Sequence, residues 1–462
     1  MNNAAAGERA SPGDLIEAIE DAPLDSRYWL AFLILSGIFT VDYFDLFVVS
    51  FLVPAFAPKW HLTYSETSII LLAAGVGAIV GALAGGTLAD RFGRKPILLW
   101  CNALCGIATG SLALVPDRNW IIFALLRFVA GLAIGAMAAA AVAMIVERTP
   151  RRHRTLVTGL NLVAPSIGIL CASLAAGALL ETLGWRGLAA LGYAPLALVL
   201  LIWLFIPESI HWQVSVGRTA PARLAAQTLL RRPLDGLELP PAPARPPAAG
   251  LRELYKTRSR FWLVVLLTLG STTGIYGTYL WAPSILSAIG RTTPGAAAKL
   301  FAFVSGAGVL GKAVVALIAH RFGRYPTGVA CLGVGVVSLV GAALTGDAML
   351  GATPLILFCF IGVGLSLDGG SSNFYPYAAE VFPVRLASRG AGLAQAGNGI
   401  GKILGPISLA VIAGSGDVMR PAATSAAIMP AFLFMAACAA VGLAAMIFVP
   451  IETSGRKLAV NG

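Results

Sequence analysis

GTLADRFGRK (86–95) closes the second long apolar run of the chain, and its core, Arg91-Phe92-Gly93-Arg94, returns 230 residues later as Arg321-Phe322-Gly323-Arg324. A shift of 233 then lays Glu147 on Glu380, Pro150 on Pro383, Gly159 on Gly392 and Gly168 on Gly401. A third echo ends each half: Pro207-Glu208-Ser209 with Gly217-Arg218 beyond, against Pro450-Ile451-Glu452-Thr453 with Gly455-Arg456. Three echoes in one order read as a duplicated unit.

The chain around these echoes is apolar. Of 462 residues, 57% are hydrophobic and 12% charged, with a mean hydropathy of +0.81. Soluble domains are about a quarter charged, so the composition excludes a cytosolic enzyme, a nucleic-acid binder and a disordered scaffold. The net charge of +11 therefore needs a membrane explanation. The six cysteines (Cys101, Cys105, Cys171, Cys331, Cys359, Cys438) lie in apolar runs without a C-x-x-C pair. They read as buried free thiols, with no disulfide framework or metal site implied.

A helix needs about 20 apolar residues to cross about 30 Å of hydrocarbon. Twelve such runs are predicted: 29–54, 67–87, 96–115, 120–145, 157–180, 187–206, 261–284, 298–319, 326–345, 353–379, 390–412 and 426–449. They lack the alternation of barrel strands. The expected fold is an all-α membrane protein with twelve transmembrane helices in two pseudo-symmetric six-helix halves, 29–206 and 261–449. Residues 1–28 and 450–462 form the ends, and a basic interval, 207–260, joins the halves through a proline-rich tether at 238–250. With both termini cytoplasmic, inside segments hold 24 of the 33 Lys and Arg, and outside loops six. That asymmetry obeys the positive-inside rule. Residues 1–28 carry six acids and no apolar core, unlike a signal peptide. Arg outnumbers Lys 26 to 7, which suggests a GC-rich bacterium and placement in its cytoplasmic (inner) membrane.

The 86–95 stretch resembles the loop motif between helices 2 and 3 of the major facilitator superfamily. Arg127-x-x-x-Gly131-x-x-x-Gly135 resembles that superfamily's helix 4, and the Pro-Glu-Ser and Pro-x-Glu-Thr echoes resemble its sugar-porter-like branch. The resemblance implies transport by rocking of two halves about a central site. It also implies a cytoplasmic gate. Asp90 would latch the halves when the outside is open, in a network with Arg91, Arg94, Glu147, Arg154, Glu380 and Arg389. An acid in a short inside loop needs such a partner, an arginine or a helix N-terminus. The second copy departs from the first: His320 replaces the aspartate and Ala387 stands at the place of Arg154, so a weaker latch is expected there.

Ionisable side chains near the bilayer centre cost several kcal/mol and mark function by default. Six lie in predicted spans: Asp42, Asp45, Arg127, Lys312, Asp368 and Lys402. At about 1.5 Å per residue, Asp45 falls level with Arg127, and Asp368 with Lys402. Lys312, seven residues from the inner end of its predicted span, is close enough to the interface to snorkel. None has a like-charged counterpart in the repeat: Gly135 answers Asp368, Ile169 answers Lys402 and Phe360 answers Arg127. A substrate site should show that asymmetry, although permanent ion pairs holding helices together would show it too.

Asp42 and Asp45 lie one turn apart and cannot both ionise cheaply, so one is expected to hold a proton near neutral pH. With all four histidines (His61, His153, His211, His320) in loops, Asp42, Asp45 and Asp368 are the candidate proton-coupling groups. VDYFDLF (41–47) resembles the Asp-Gly-x-Asp of aromatic-acid/proton symporters in the same superfamily, with Tyr43 in the place of glycine.

Arg127 and Lys402 facing a central cavity would select an anion, most simply a carboxylate. Tyr276, Tyr279 and Trp281 offer aromatic surface, although aromatics near a span's outer end also act as interfacial anchors. Gln395 and Asn398 offer polar contacts. LLTLGSTTGIYG (266–277) lacks the Gln-rich signature of sugar porters. Glycines spaced by four (Gly77, Gly81, Gly85; Gly397, Gly401, Gly405) favour close helix contact.

The expected function is proton-coupled symport of a small organic anion, a carboxylate or aromatic acid, by alternating access. The chain is not expected to be an enzyme. It is expected to need no cofactor beyond the proton gradient, to bind no metal or nucleic acid, and to act as a monomer in the lipid bilayer. The alternatives are a proton-driven exporter of toxic compounds and an uncoupled sugar or polyol facilitator. Ala164-Pro165-Ser166-Ile167-Gly168 echoes the exporters' helix 5 motif only in part.

Overall fold

The computed structural model describes residues 24–150, 153–230, 251–351, 353–383, 386–413 and 421–453. The tether at 238–250, the Gly455-Arg456 echo and most of both terminal segments lie outside the described residues.

Among the described residues, twelve helices form the membrane body. The first half holds α1 (Ser26–Trp60), α2 (Tyr64–Phe92), α3 (Arg94–Gly110), α4 (Trp120–Arg148), α5 (Ala164–Ala190) and α6 (Pro195–Phe205). The second holds α7 (Arg258–Gly290), α8 (Pro294–Phe322), α9 (Arg324–Thr345), α10 (Ile356–Glu380), α11 (Ala387–Ala413) and α12 (Pro421–Phe448). Ten described stretches are long and apolar enough to cross a membrane. One of them, Val157–Phe205, contains both α5 and α6 and is broken at Gly184, whose φ of 67° suits glycine; α11 completes the twelve. Between α9 and α10, Met349–Leu350 and Thr353–Pro354 pair as a small antiparallel hairpin. The joining interval contributes short helices at Ile210–Ser215, Thr219–Leu230 and Leu251–Lys256.

Local chemistry starts the helices where they start. Thr63 and Glu66 cap α2 reciprocally. Asp25 caps α1 by accepting from Tyr28 N at 2.8 Å, and Thr293 caps α8 just ahead of Pro294.

Glycine then sets how closely helices approach. A Cβ on Gly77, Gly81 or Gly85 of α2 would collide with α4 backbone at Phe128, Leu132 or Ala136, and Gly131 and Gly135 of α4 meet α2 backbone at Ala74 and Ala78. In the second half, Gly311 and Gly369 bring α8 and α10 together in the same way. The repeat reaches individual contacts. Gly168 of α5 packs on Thr40 of α1, and Gly401 of α11 packs on Thr273 of α7, each residue 233 positions from its equivalent. Close backbone approach through small residues is the main packing device available where lipid is as apolar as leucine. The halves meet through α1 with α7, α2 with α11, and α5 with α8.

Candidate functional site

At the end carrying the two Arg-Phe-Gly-Arg loops, hereafter the basic end, both halves build the same network. In the first, Arg94 forms an ion pair with Glu147, and Ser209 Oγ donates to Glu147 Oε2 at 2.6 Å. Glu208 accepts from the backbone N–H groups of Arg94 and Lys95 at 3.1 Å, covering the start of α3. In the second, Arg324 pairs with Glu380 at 2.8 Å, and Thr453 Oγ1 donates to Glu380 at 2.7 Å. Glu452 accepts from Arg324 N and Tyr325 N at 3.0 and 3.1 Å. Each acid satisfies helix N–H groups that lack partners of their own.

The remaining gate candidates sit around these networks. Arg154 donates to Thr149 O at 3.2 Å, and Arg389 pairs with Glu253 at 3.0 Å. Asp90 and Arg91 are exposed. The Asp90 carbonyl accepts from Trp212 Nε1 at 2.8 Å, while its carboxylate forms no ion pair among the described residues.

Two buried charge clusters occupy the centre. Arg127 Nη1 donates to Asp45 Oδ2 at 2.9 Å, with each side chain 1% exposed, and Arg127 Nη2 reaches Leu46 O at 3.4 Å. Both residues belong to the first half. Asp45 Oδ1 has no partner among the described residues. Asp42, one turn away, is buried and likewise has no hydrogen-bond partner among the described residues.

The second cluster gathers on Asp368, at the end of a π-helical turn (Gly364–Asp368) within α10; such turns are common at functional sites. Asp368 accepts from Ser166 Oγ at 3.0 Å and Tyr279 Oη at 3.4 Å, both on Oδ2, and its Oδ1 lies 3.5 Å from Lys312 Nζ. Gly308 makes the room: a Cβ there would strike the Asp368 carboxylate.

Lys402 forms an ion pair with neither cluster, although Asp42 lies within its electrostatic reach. Its Nζ lies 5.6 Å from the ring centre of Tyr43 and 5.1 Å from that of Tyr276, and it has no ion pair among the described residues. Tyr43 and Tyr276, one from each half, share a hydrogen bond of 3.2 Å between their hydroxyls. Phe47 backs both rings.

Lys402 and Asp368, placed at one depth by the sequence, are thus not partners; depth along a helix does not fix the direction a side chain takes. Lys312 is buried at 5% exposure and does not snorkel. Trp281 is buried too, donating to Pro406 O at 3.0 Å and packing on Tyr64 across the halves. Asn398 donates to the exposed Gln395 at 3.1 Å. Ser166, Glu208, Ser209, Glu452 and Thr453 join these sites without being expected there from the sequence. For the last four the third echo was the available signal.

The halves are joined away from the basic end. Thr293 donates to Glu181 at 2.5 Å, Ser173 and Ser305 share a bond of 3.1 Å, and Phe51 meets Phe301 at 5.6 Å. Toward the basic end a Cβ on the equivalent Gly159 or Gly392 would meet nothing within 4 Å.

The Major Facilitator Superfamily profile matches residues 35–406. The chain is 31% identical over 386 residues to a gallate transporter of Pseudomonas putida, covering 79% of this chain and 83% of that one. It is 27% identical to the 4-hydroxybenzoate transporter PcaK of Acinetobacter baylyi, covering 85% and 87%. It is 26% identical to the niacin transporter NiaP of the same organism, covering 85% and 89%. Among solved structures, the partially occluded inward-open xylose transporter XylE from E. coli matches with a TM-score of 0.67 at 18% identity, covering 94% of this chain and 100% of that one. At that identity the likeness concerns the fold alone.

Proposed function

The chain belongs to the Major Facilitator Superfamily, a membrane transporter and not an enzyme, and we propose that it takes up a small aromatic or other organic acid in symport with protons. The observation that carries this reading is Lys402. It is a cation near the molecular centre that forms no ion pair among the described residues, with Asp42 within its electrostatic reach, and it stands by two tyrosine rings that come from opposite halves. A carboxylate supplies the missing charge, and a ring attached to it finds aromatic surface in Tyr43 and Tyr276. The relatives whose names specify gallate, 4-hydroxybenzoate and niacin agree with that chemistry.

Asp45 and Asp368 are the proton acceptors in this reading, and Asp42 stands beside Asp45. The free oxygen of Asp45 can take a proton while the other keeps Arg127; protonation loosens the pair and lets α1 move against α4. Arg127 thereby acts through Asp45 and leaves substrate contact to Lys402. The energy source is the proton gradient, and no cofactor takes part. The basic loops and both termini face the cytoplasm of a bacterium, whose inner membrane holds the protein. The protein works as a monomer.

Proteoliposomes holding the purified protein should accumulate labelled 4-hydroxybenzoate or gallate when the outside is acidified. Uptake that is indifferent to a protonophore and to Asp45→Asn would refute proton coupling. Failure with every carboxylate offered would refute the substrate class.

A further inference from the structure

We infer that Lys312 is a positioning residue that ties protonation of Asp368 to the α5–α8 interface between the halves, so that a proton and a carboxylate cross together; this rests on the symport reading above. Lys312 Nζ makes two contacts that belong to different halves. It lies 3.5 Å from Asp368 Oδ1 in its own half and donates to Leu162 O, in the first half, at 3.0 Å. That carbonyl falls in the break between the helix Arg154–Asn161 and α5, whose first turn holds Pro165. Asp368 is also shared, because Ser166 of the first half donates to its other oxygen at 3.0 Å. The pair therefore closes a ring of contacts: Leu162 in the break before α5 to Lys312, to Asp368 on α10, and on to Ser166 in the first turn of α5.

Among the described residues, the surroundings leave Asp368 one counter-charge within contact. Tyr279 on α7 donates to it at 3.4 Å. Tyr43 on α1, Tyr276 on α7 and Tyr375 on α10 lie within its electrostatic reach. Ser166 is the facing group on α5, and Lys402 on α11 is engaged by Tyr43 and Tyr276. Lys312 is the cation in contact.

With Asp368 ionised, the pair is neutral and the interface is held. When Asp368 takes a proton, Lys312 becomes a buried cation without its anion, a state that low-dielectric surroundings strongly disfavour. An entering carboxylate brings back the negative charge that the proton on Asp368 removed, so that proton accompanies a singly charged substrate. When both leave, the ion pair re-forms and the α5 contact is re-made.

Two readouts in proteoliposomes separate this role from simple binding. The first is counterflow, the exchange of labelled for unlabelled 4-hydroxybenzoate at equal pH on both sides. The second is accumulation driven by an inward proton gradient. In Lys312→Met, Asp368 loses its counter-ion and stays protonated. Counterflow should remain within about threefold of wild type and lose its pH dependence, whereas accumulation should fall about tenfold or more. Lys312→Arg should retain both activities.

Accumulation at the wild-type level by Lys312→Met overturns the inference. So does a folded Lys312→Met that loses counterflow and accumulation alike, because that marks a binding residue. Should Lys312→Met not fold, Lys312→Met/Asp368→Asn, which removes both charges, decides by the same readouts: exchange without accumulation supports the inference, and accumulation overturns it. A wild-type protein that accumulates no carboxylate overturns the symport reading and this inference together, whereas an accumulating wild type beside an accumulating Lys312→Met overturns this inference alone.

Discussion

Glu147 takes Arg94 and the hydroxyl of Ser209; 233 residues on, Glu380 takes Arg324 and the hydroxyl of Thr453. Glu208 covers the start of α3 and Glu452 the start of α9. At the centre the correspondence ends. The first half pairs Asp45 with Arg127 entirely within itself, while Asp368 of the second half reaches across to α5 and Lys312 to the break just before it. Duplication has kept the parts that every rocking half needs, a loop pinned to a helix start. It has not kept the parts that handle charge. One half stores its ion pair internally, and the other places its pair on the seam.

That contrast can be broken at several points. The largest effect is expected from Arg127→Ala, which strands Asp45 in a buried site. A stability loss of about 3–5 kcal/mol and uptake at background are expected, read by thermal unfolding in detergent and by transport. Wild-type stability would mean the internal pair is no structural element. Lys402→Met comes next: substrate binding should weaken by about 2 kcal/mol, roughly thirtyfold in Kd, with little change in Tm, as calorimetric titration with 4-hydroxybenzoate can check. Glu208→Gln and Glu452→Gln should each cost about 1–2 kcal/mol, and by similar amounts. A clear inequality in their Tm values would show that the repeated networks are alike in geometry and not in energy. Trp281→Phe should cost the least, about 1 kcal/mol for the bond to Pro406 O, and should raise the rate at which the end opposite the basic loops opens to a thiol reagent.

Much of the fold was legible because its signals are one-dimensional. Apolar runs give the spans, and fixed offsets give the repeat; Gly168 and Gly401 even meet equivalent partners. Asp45 with Arg127 was also within reach, because their depths agree and their helices pack together. Lys312 was misplaced for a specific reason. Its predicted span ended at 319, but α8 continues to Phe322, so Lys312 lies ten residues from the helix end, too deep to reach the interface. Asp368 defeated prediction differently. Depth assigned it to Lys402, whereas the π-turn before it and the vacant Gly308 position aim it at Ser166 and Lys312. Trp281 looked like an interfacial anchor because its position suits one. The approach of α2 in the opposite half, which buries it against Tyr64, leaves no mark in its own span.

The π-turn at Gly364–Asp368 spaces its hydrogen bonds five residues apart where an α-helix uses four. It therefore accommodates one residue more than the α-helical path between the same two points. Removing a residue from this turn would restore an ordinary helix and rotate one side of α10 against the other by about 100°. Asp368 would then point away from Ser166 although every side chain of the cluster were still encoded. The aim of this carboxylate is thus written in the length of the chain rather than in its chemistry, and an alignment gap of one residue here would carry more meaning than most substitutions.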